Sequence, residues 1–286
     1  MKHLYTKKLF LLVSFFATLF AFSQEEITTK YTSSNKGKFY ISWGGNREAY
    51  SRSDINFKGE NYNFTINNAS AVDKPKGWHI DYINPSRITI PQTNFKLGYF
   101  INDHYSIALG IDHMKYVLNV DDFKSISGTV NLPEQEPGSM FNGNYDGSDY
   151  FMSRYFLQFE HTNGLNYAYL EFARHDDISS FIHLPNTDKF QINITEGLGA
   201  GALYPKTNTT LLLKERYDEF HLSGYGIHFN AGLNFTFFKH FFIQGDLRAG
   251  YINMPDIRTT INTNESASQH FWFLERVISF GTIFRV

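Results

Sequence analysis

The chain is 286 residues long, with 26 basic and 28 acidic side chains, a formal net charge of −2, 17% aromatic residues and no cysteine. That balance offers no electrostatic case for nucleic acid, and the missing thiols exclude disulfides, thiolate metal sites, a cysteine nucleophile and lipid attachment at cysteine. The 29 Phe and 18 Tyr beside a negative mean hydropathy point to sheets with one apolar and one polar face.

Lys2, Lys7 and Lys8 precede the apolar run LFLLVSFFATLFAF, and Ala21-Phe22-Ser23 follows with the small residues of a cleavage site. Residues 1–23 therefore read as a secretory signal peptide, the apolar run being short for a membrane-spanning helix. Residues 24–36 are a polar lead-in. From 37 to 286 the chain is a series of strand-like stretches, at 38–52, 87–101, 104–119, 149–162, 165–175, 189–203, 208–215, 220–237, 240–254 and 270–286, with no convincing helix. In 225–237, Tyr225, Ile227, Phe229, Ala231, Leu233, Phe235 and Phe237 alternate with Gly226, His228, Asn230, Gly232, Asn234 and Thr236. Such a period of two gives a strand two unlike faces. Stretches 95–101, 105–111 and 241–251 alternate in the same way.

Asn102-Asp103, Thr162-Asn163-Gly164 and Phe238-Lys239-His240 read as tight turns, whereas 53–86, 120–148 and 255–269 are long and polar. Short turns at one end and long loops at the other are how outer-membrane barrels are built. A soluble sandwich also alternates, but the aromatics gather at strand ends, as in membrane girdles. The expectation is an all-β fold, a single transmembrane antiparallel β-barrel with short periplasmic turns and long extracellular loops. Both ends of the chain would be periplasmic, so the strand number is even; ten is favoured and eight is the alternative. The long loops carry Phe57, Tyr62, Phe64, Trp78, Tyr82, Phe123, Phe141 and Tyr145, more aromatics than a disordered segment holds. They would bind a partner or glycan, or fold over the mouth.

The chain resembles small and mid-sized outer-membrane β-barrel proteins of Gram-negative bacteria. Its last strand ends Ser279-Phe280-Gly281-Thr282-Ile283-Phe284-Arg285-Val286, similar to the signature by which such proteins meet the barrel assembly machinery. Val286 departs from the usual aromatic. The run from Gly197-Leu-Gly-Ala-Gly201 through 220–237 resembles the closing half of OmpA-type barrels, in which the first strand would continue through Thr207; here Pro205 favours a turn.

In a narrow barrel the polar faces meet, and Asp112, Arg154, Glu160, His228, Asp246 and Arg248 are expected to form a charge network in the lumen. Buried charges need partners, so these would pair as a plug or line a narrow pore. His79 with Asp81, Asp112 with His113, and His175 with Asp176 and Asp177 are adjacent, but no two-histidine spacing on one strand face makes a dedicated metal site. No metal and no cofactor is expected. His221-Leu222-Ser223, with Glu219 nearby, is similar to the His/Ser pair of outer-membrane lipid A deacylases, which implies an esterase as an alternative. Lys206, Lys214, Arg216 and Arg258 lie near loop ends, where lipopolysaccharide phosphates are expected. The expected role is structural, an interaction or a narrow pore. The expected partners are outer-membrane lipid and lipopolysaccharide, the assembly machinery and another envelope protein.

Overall fold

A computed structural model describes residues 34–77, 79–83, 91–184 and 186–286. The signal segment, most of the lead-in, Trp78 and the Tyr82 side chain lie outside what is described. In chain order the strands are β1 (Phe39–Tyr50), β2 (Ser53–Gly59), β3 (Tyr62–Ala69), β4 (Ala71–Val72), β5 (Thr93–Phe100), β6 (Tyr105–Met114), β7 (Val117–Leu118), β8 (Asp122–Val130) and β9 (Gly143–Met152). They continue as β10 (Leu157–Glu160), β11 (Leu165–Asp177), β12 (Phe190–Leu203), β13 (Lys206–Leu211), β14 (Tyr217–Phe220), β15 (Gly224–Phe237), β16 (Phe241–Arg258) and β17 (Ser266–Phe284).

β1, β5, β6, β11, β12, β15, β16 and β17 are hydrogen-bonded in that order, and β1 pairs back onto β17, so the sheet closes into a ring of eight. The closing ladder is antiparallel and runs from Phe39 opposite Phe284 to Tyr50 opposite Phe273. The ring has eight members, the alternative count, and not ten. The two surplus stretches, 149–162 and 208–215, pair with each other: Leu157 stands opposite Leu211 and Glu160 opposite Asn208. β10 and β13 have only four and six residues, well short of the roughly 9–11 that cross a bilayer. Pro205 marks where the chain leaves the ring after β12, as a turn there requires, but β13 does not return as a barrel strand.

The 18 residues of β16 and 19 of β17 are about twice what a span needs. Their surplus projects past the ring at the end away from Phe39 and Phe284. There β2 takes over the edge of β17 that β1 leaves, with Ser266 opposite Lys58 and Gln269 opposite Ile55. The wall thus continues as β2-β3-β8-β9. A second sheet, in the order β14-β13-β10-β7-β4, packs beneath it, and the long loops form a two-sheet cap rather than polar coil. Ile55, Phe57, Phe64, Ile66, Ile126, Phe156, Leu157 and Phe159 are buried in its core, which continues into the ring through Tyr167, Tyr169, Phe271 and Phe273. Each such side chain contributes roughly 1.5–3 kcal/mol by leaving water.

The ring itself is apolar outside and polar inside. Ile107, Leu109, Ile111, Leu170, Phe172, Ile227, Phe229, Leu247 and Ile278 are exposed, whereas Asp112, Glu171, His228, Arg248 and Glu275 are buried. A closed ring with this inversion satisfies its backbone internally and presents hydrocarbon-like side chains outward, which suits a bilayer. Charge interrupts the outward face at a few of the described positions, Arg47, Glu196 and Arg276 among them. Arg276 is exposed between Leu274 and Ile278, directly opposite Arg47 on β1, and lies four residues from both Trp272 and Phe280, which are 63% and 54% exposed. Like charges set opposite each other repel, and arginine on the lipid face is costly in proportion to its depth. Arg276→Leu is expected to stabilise the barrel by about 1–3 kcal/mol in phospholipid vesicles. Reversible denaturant unfolding measures this, and an unchanged or lower stability would refute it.

Candidate functional site

Eight strands leave an interior that side chains fill, and three layers fill this one. At the end near Phe39 and Phe284, Tyr40, Phe100, Ala108, Phe242 and Ile283 form an apolar cluster. Tyr40 lies opposite Gly98 and Tyr169 opposite Gly110; a Cβ at either glycine would collide with the facing ring. Next comes a charged layer, and above it the cap core. The spaces left beside Lys96, Glu171 and Asp246, and beside Tyr40 and Phe100, are cavities of about 20 Å³ each, room for roughly one water.

Arg248 organises the charged layer. It is 1% exposed, yet its guanidinium meets Asp112, donates to Glu275 Oε2 at 2.8 Å and donates to Tyr169 Oη at 3.0 Å. It also lies 5.0 Å from the centre of the Tyr169 ring. Lys96 donates to Glu171 Oε1 at 2.6 Å, and His228 Nε2 stands 3.2 Å from Glu171 Oε2. The other nitrogen of His228 is 2.9 Å from the Tyr167 hydroxyl. Asp246 accepts from Gln244 Nε2 at 2.9 Å on both oxygens. Paired and hydrogen-bonded charges of this kind are what make burial tolerable.

Four of the six expected lumen residues meet here: Asp112, His228, Asp246 and Arg248. The other two are corrected. Arg154 is exposed between β9 and β10, where its Nε donates to Asp121 Oδ2 at 2.9 Å, and Glu160 is buried in the cap, accepting from Asn208 Nδ2 at 2.7 Å. Both sit on a stretch that the ring excludes. Lys96, Glu171, Glu275 and Glu48 complete the layer, and each shares parity with inward neighbours on its strand, Glu171 with Tyr167 and Tyr169, Glu275 with Phe271 and Phe273.

His221 and Ser223 lie between β14 and β15. His221 Nε2 pairs with Asp256 Oδ2 at 2.9 Å, not with Glu219, which is exposed on β14. Ser223 is 1% exposed, and its hydroxyl donates to the His221 carbonyl at 3.4 Å, not to the imidazole. The trio does not form a base-activated nucleophile in this geometry. Among the described residues, no three His, Cys, Asp or Glu side chains are placed to hold a metal ion. The loop cations are engaged locally, Lys214 with Glu265 at 2.5 Å, Arg216 with Asp218 at 3.0 Å and Lys206 with Asp218 at 3.9 Å, while Arg258 reaches the Thr263 carbonyl. Ser279, Gly281 and Phe284 lie on β17, and Val286 is exposed beyond it.

Removing Arg248 would strand two buried carboxylates. Arg248→Met is expected to cost about 3–5 kcal/mol, with most of the loss recovered in Asp112→Asn/Glu275→Gln/Arg248→Met; unfolding in vesicles compares the two, and equal losses would contradict the pairing. A second outcome concerns pH. His161 is fully buried in the cap, 3.0 Å from Thr207 Oγ1, and burial pushes its imidazole down to about 3. The unfolded chain therefore binds this proton first. Cap stability is full above about pH 6.5 and falls as pH drops toward that lower value. Protease sensitivity of the cap should rise over this window, and less steeply in His161→Phe.

No family model matches the chain, and no curated protein does. Among solved structures it is similar to the outer membrane protein OprG of Pseudomonas aeruginosa, at 10% identity and a TM-score of 0.38 over 90% of this chain and 100% of that one. It is also similar to Ail, the attachment invasion locus protein of Yersinia pestis, at 12% and 0.30 over 87% and 99%. Neisserial surface protein A follows at 9% and 0.29 over 84% and 96%. Scores this low carry no weight of their own; the weight lies in the geometry. A closed antiparallel ring, apolar where it is exposed and charged where it is buried, makes this chain an outer-membrane β-barrel.

Proposed function

We propose that the protein is a surface interaction barrel: a filled, non-conducting eight-stranded anchor that holds its folded cap outside the cell. The observation that carries this reading is the cap's continuous apolar core, which turns long loops into a rigid platform. On β8 and β9, the hairpin at the edge of its sheet, Phe123 and Phe151 are 63% and 50% exposed, stand opposite each other in register, and meet edge to face with ring centres 5.5 Å apart. An exposed aromatic pair on a rigid sheet costs solvation in isolation and supplies anchor residues to a partner. Outer-membrane lipid and lipopolysaccharide surround the apolar wall, the assembly machinery receives the end of β17, and another envelope or surface protein docks on the cap.

Cavities of about 20 Å³ count against the narrow-pore role, and the buried Ser223 counts against the esterase role. Cross-linking on intact cells is expected to capture a partner with the native chain and to lose it in Phe123→Ser/Phe151→Ser. The same captured set from both proteins would sink the reading. In planar bilayers the purified barrel is expected to be silent, and reproducible single-channel steps would replace the anchor with a pore.

A further inference from the structure

Near the cap end of the lumen, side-chain oxygens outnumber the donors that face them. Asn46 and Glu48 project inward from β1, Asn94 from β5 and Gln92 from the residue just before it; Asn46, Glu48, Gln92 and Asn94 are 1%, 7%, 0% and 5% exposed. The ladder between β1 and β5 ends where Gly45 stands opposite Thr93, so Asn46 and Gln92 lie just past its last pair, and Glu48 meets Gln92 there. At such positions side chains reach one another. Every amide nitrogen is already committed. Asn46 Nδ2 donates to Glu275 Oε1 at 2.8 Å, Asn94 Nδ2 to the same oxygen at 3.0 Å and to Asp112 Oδ1 at 2.6 Å. Gln92 Nε2 donates to Asp73 Oδ1 at 2.6 Å and also meets Glu48.

The oxygens are what remain. Asn46 Oδ1, Glu48 Oε1, Gln92 Oε1 and Asn94 Oδ1 are buried and meet no donor among the described residues. Charge is out of balance in the same place. Glu48, Asp73, Asp112 and Glu275 face Arg248, which serves the last two, and Lys115, which stands at the rim within electrostatic reach of Asp73. Among the described residues, four carboxylates face two cations, an excess of negative charge that a buried cluster does not sustain without protons or a cation. The remaining lysines are occupied: Lys74 lies 3.5 Å from Glu160, and Lys76 meets Asp81.

We propose that this cluster is a calcium-type cation site, with Glu48 and Asp73 supplying charge and the amide oxygens of Asn46, Gln92 and Asn94 completing an all-oxygen shell. Carboxylate and amide oxygens without nitrogen or sulfur are the ligand set of a hard divalent ion. Asp73 is half-buried on the segment after β4, so an ion enters from the cap side and ties that segment to the walls made by β1 and β5. Occupancy would respond to calcium at the cap end alone.

The experiment uses the full-length barrel, stripped with EDTA and held in nanodiscs. Calcium is expected to raise its thermal midpoint saturably, with a dissociation constant of roughly 10⁻⁴ to 10⁻³ M, the range of extracellular calcium modules. It is also expected to displace bound terbium, read by sensitised luminescence. Glu48→Gln should weaken both responses by roughly tenfold or more, whereas Glu160→Gln should leave them intact. Absence of any calcium response in the native chain would overturn the proposal whether or not the variants fold. So would unchanged affinity in Glu48→Gln. Equal stabilisation by mild acid with no terbium signal would assign the excess charge to protons instead.

Discussion

The ladder between β1 and β17 is the constraint from which the rest follows. Hydrocarbon offers no hydrogen bonds, so a sheet in a bilayer must have no free edge, and twelve residues of β1 laid against β17 remove it. Closure at eight strands fixes a narrow circumference, and a narrow circumference cannot hold bulk water. Whatever points inward must then be satisfied by other inward side chains. Arg248 between Asp112 and Glu275, and Glu171 between Lys96 and His228, are consequences of ring size as much as of local sequence.

That logic explains how far the fold was legible. The period-two stripe in β15 could be read directly, because Tyr225 to Phe237 face lipid at every second position and nothing else rewards so long an apolar face. The count of strands was not legible, because a short stretch of alternation looks the same in a barrel wall and in a cap. Gln158 and Phe159 have the pattern, but whether four residues span anything depends on where their partner lies. The hairpin made by β2 and β3 is the reverse case. Ile55 and Phe57 alternate, Glu60-Asn61 turns, and Tyr62, Phe64 and Ile66 alternate back, yet the surrounding Asn, Ser and Lys hid two strands inside a polar composition.

The charged layer was half legible for a related reason. Parity assigns a residue to the inside, and it did so for Asp112, His228, Asp246 and Arg248. Parity says nothing about level, so Arg154 and Glu160 passed the same test while sitting on the excluded stretch. Level comes from register, and register is a long-range property: Asn46 and Glu275 are joined by one hydrogen bond across 229 positions of chain. His221 teaches the same lesson, since its carboxylate comes from Asp256 on β16 and not from the nearby Glu219.

Register also joins the cap to the membrane wall. β1 and β2 lie end to end along one edge of β17, and Ser51 N–H donates to the Trp272 carbonyl at 2.9 Å across the break between them. The core of the cap shares Tyr167, Tyr169, Phe271 and Phe273 with the lumen, and Tyr169 also accepts from Arg248. No hinge of free backbone separates the two parts along that edge. A partner that grips the cap therefore grips a continuation of the barrel wall, and a displacement of the cap core bears directly on the buried arginine below it. An open pore would need this plug to leave, whereas the proposed interaction platform needs it to stay.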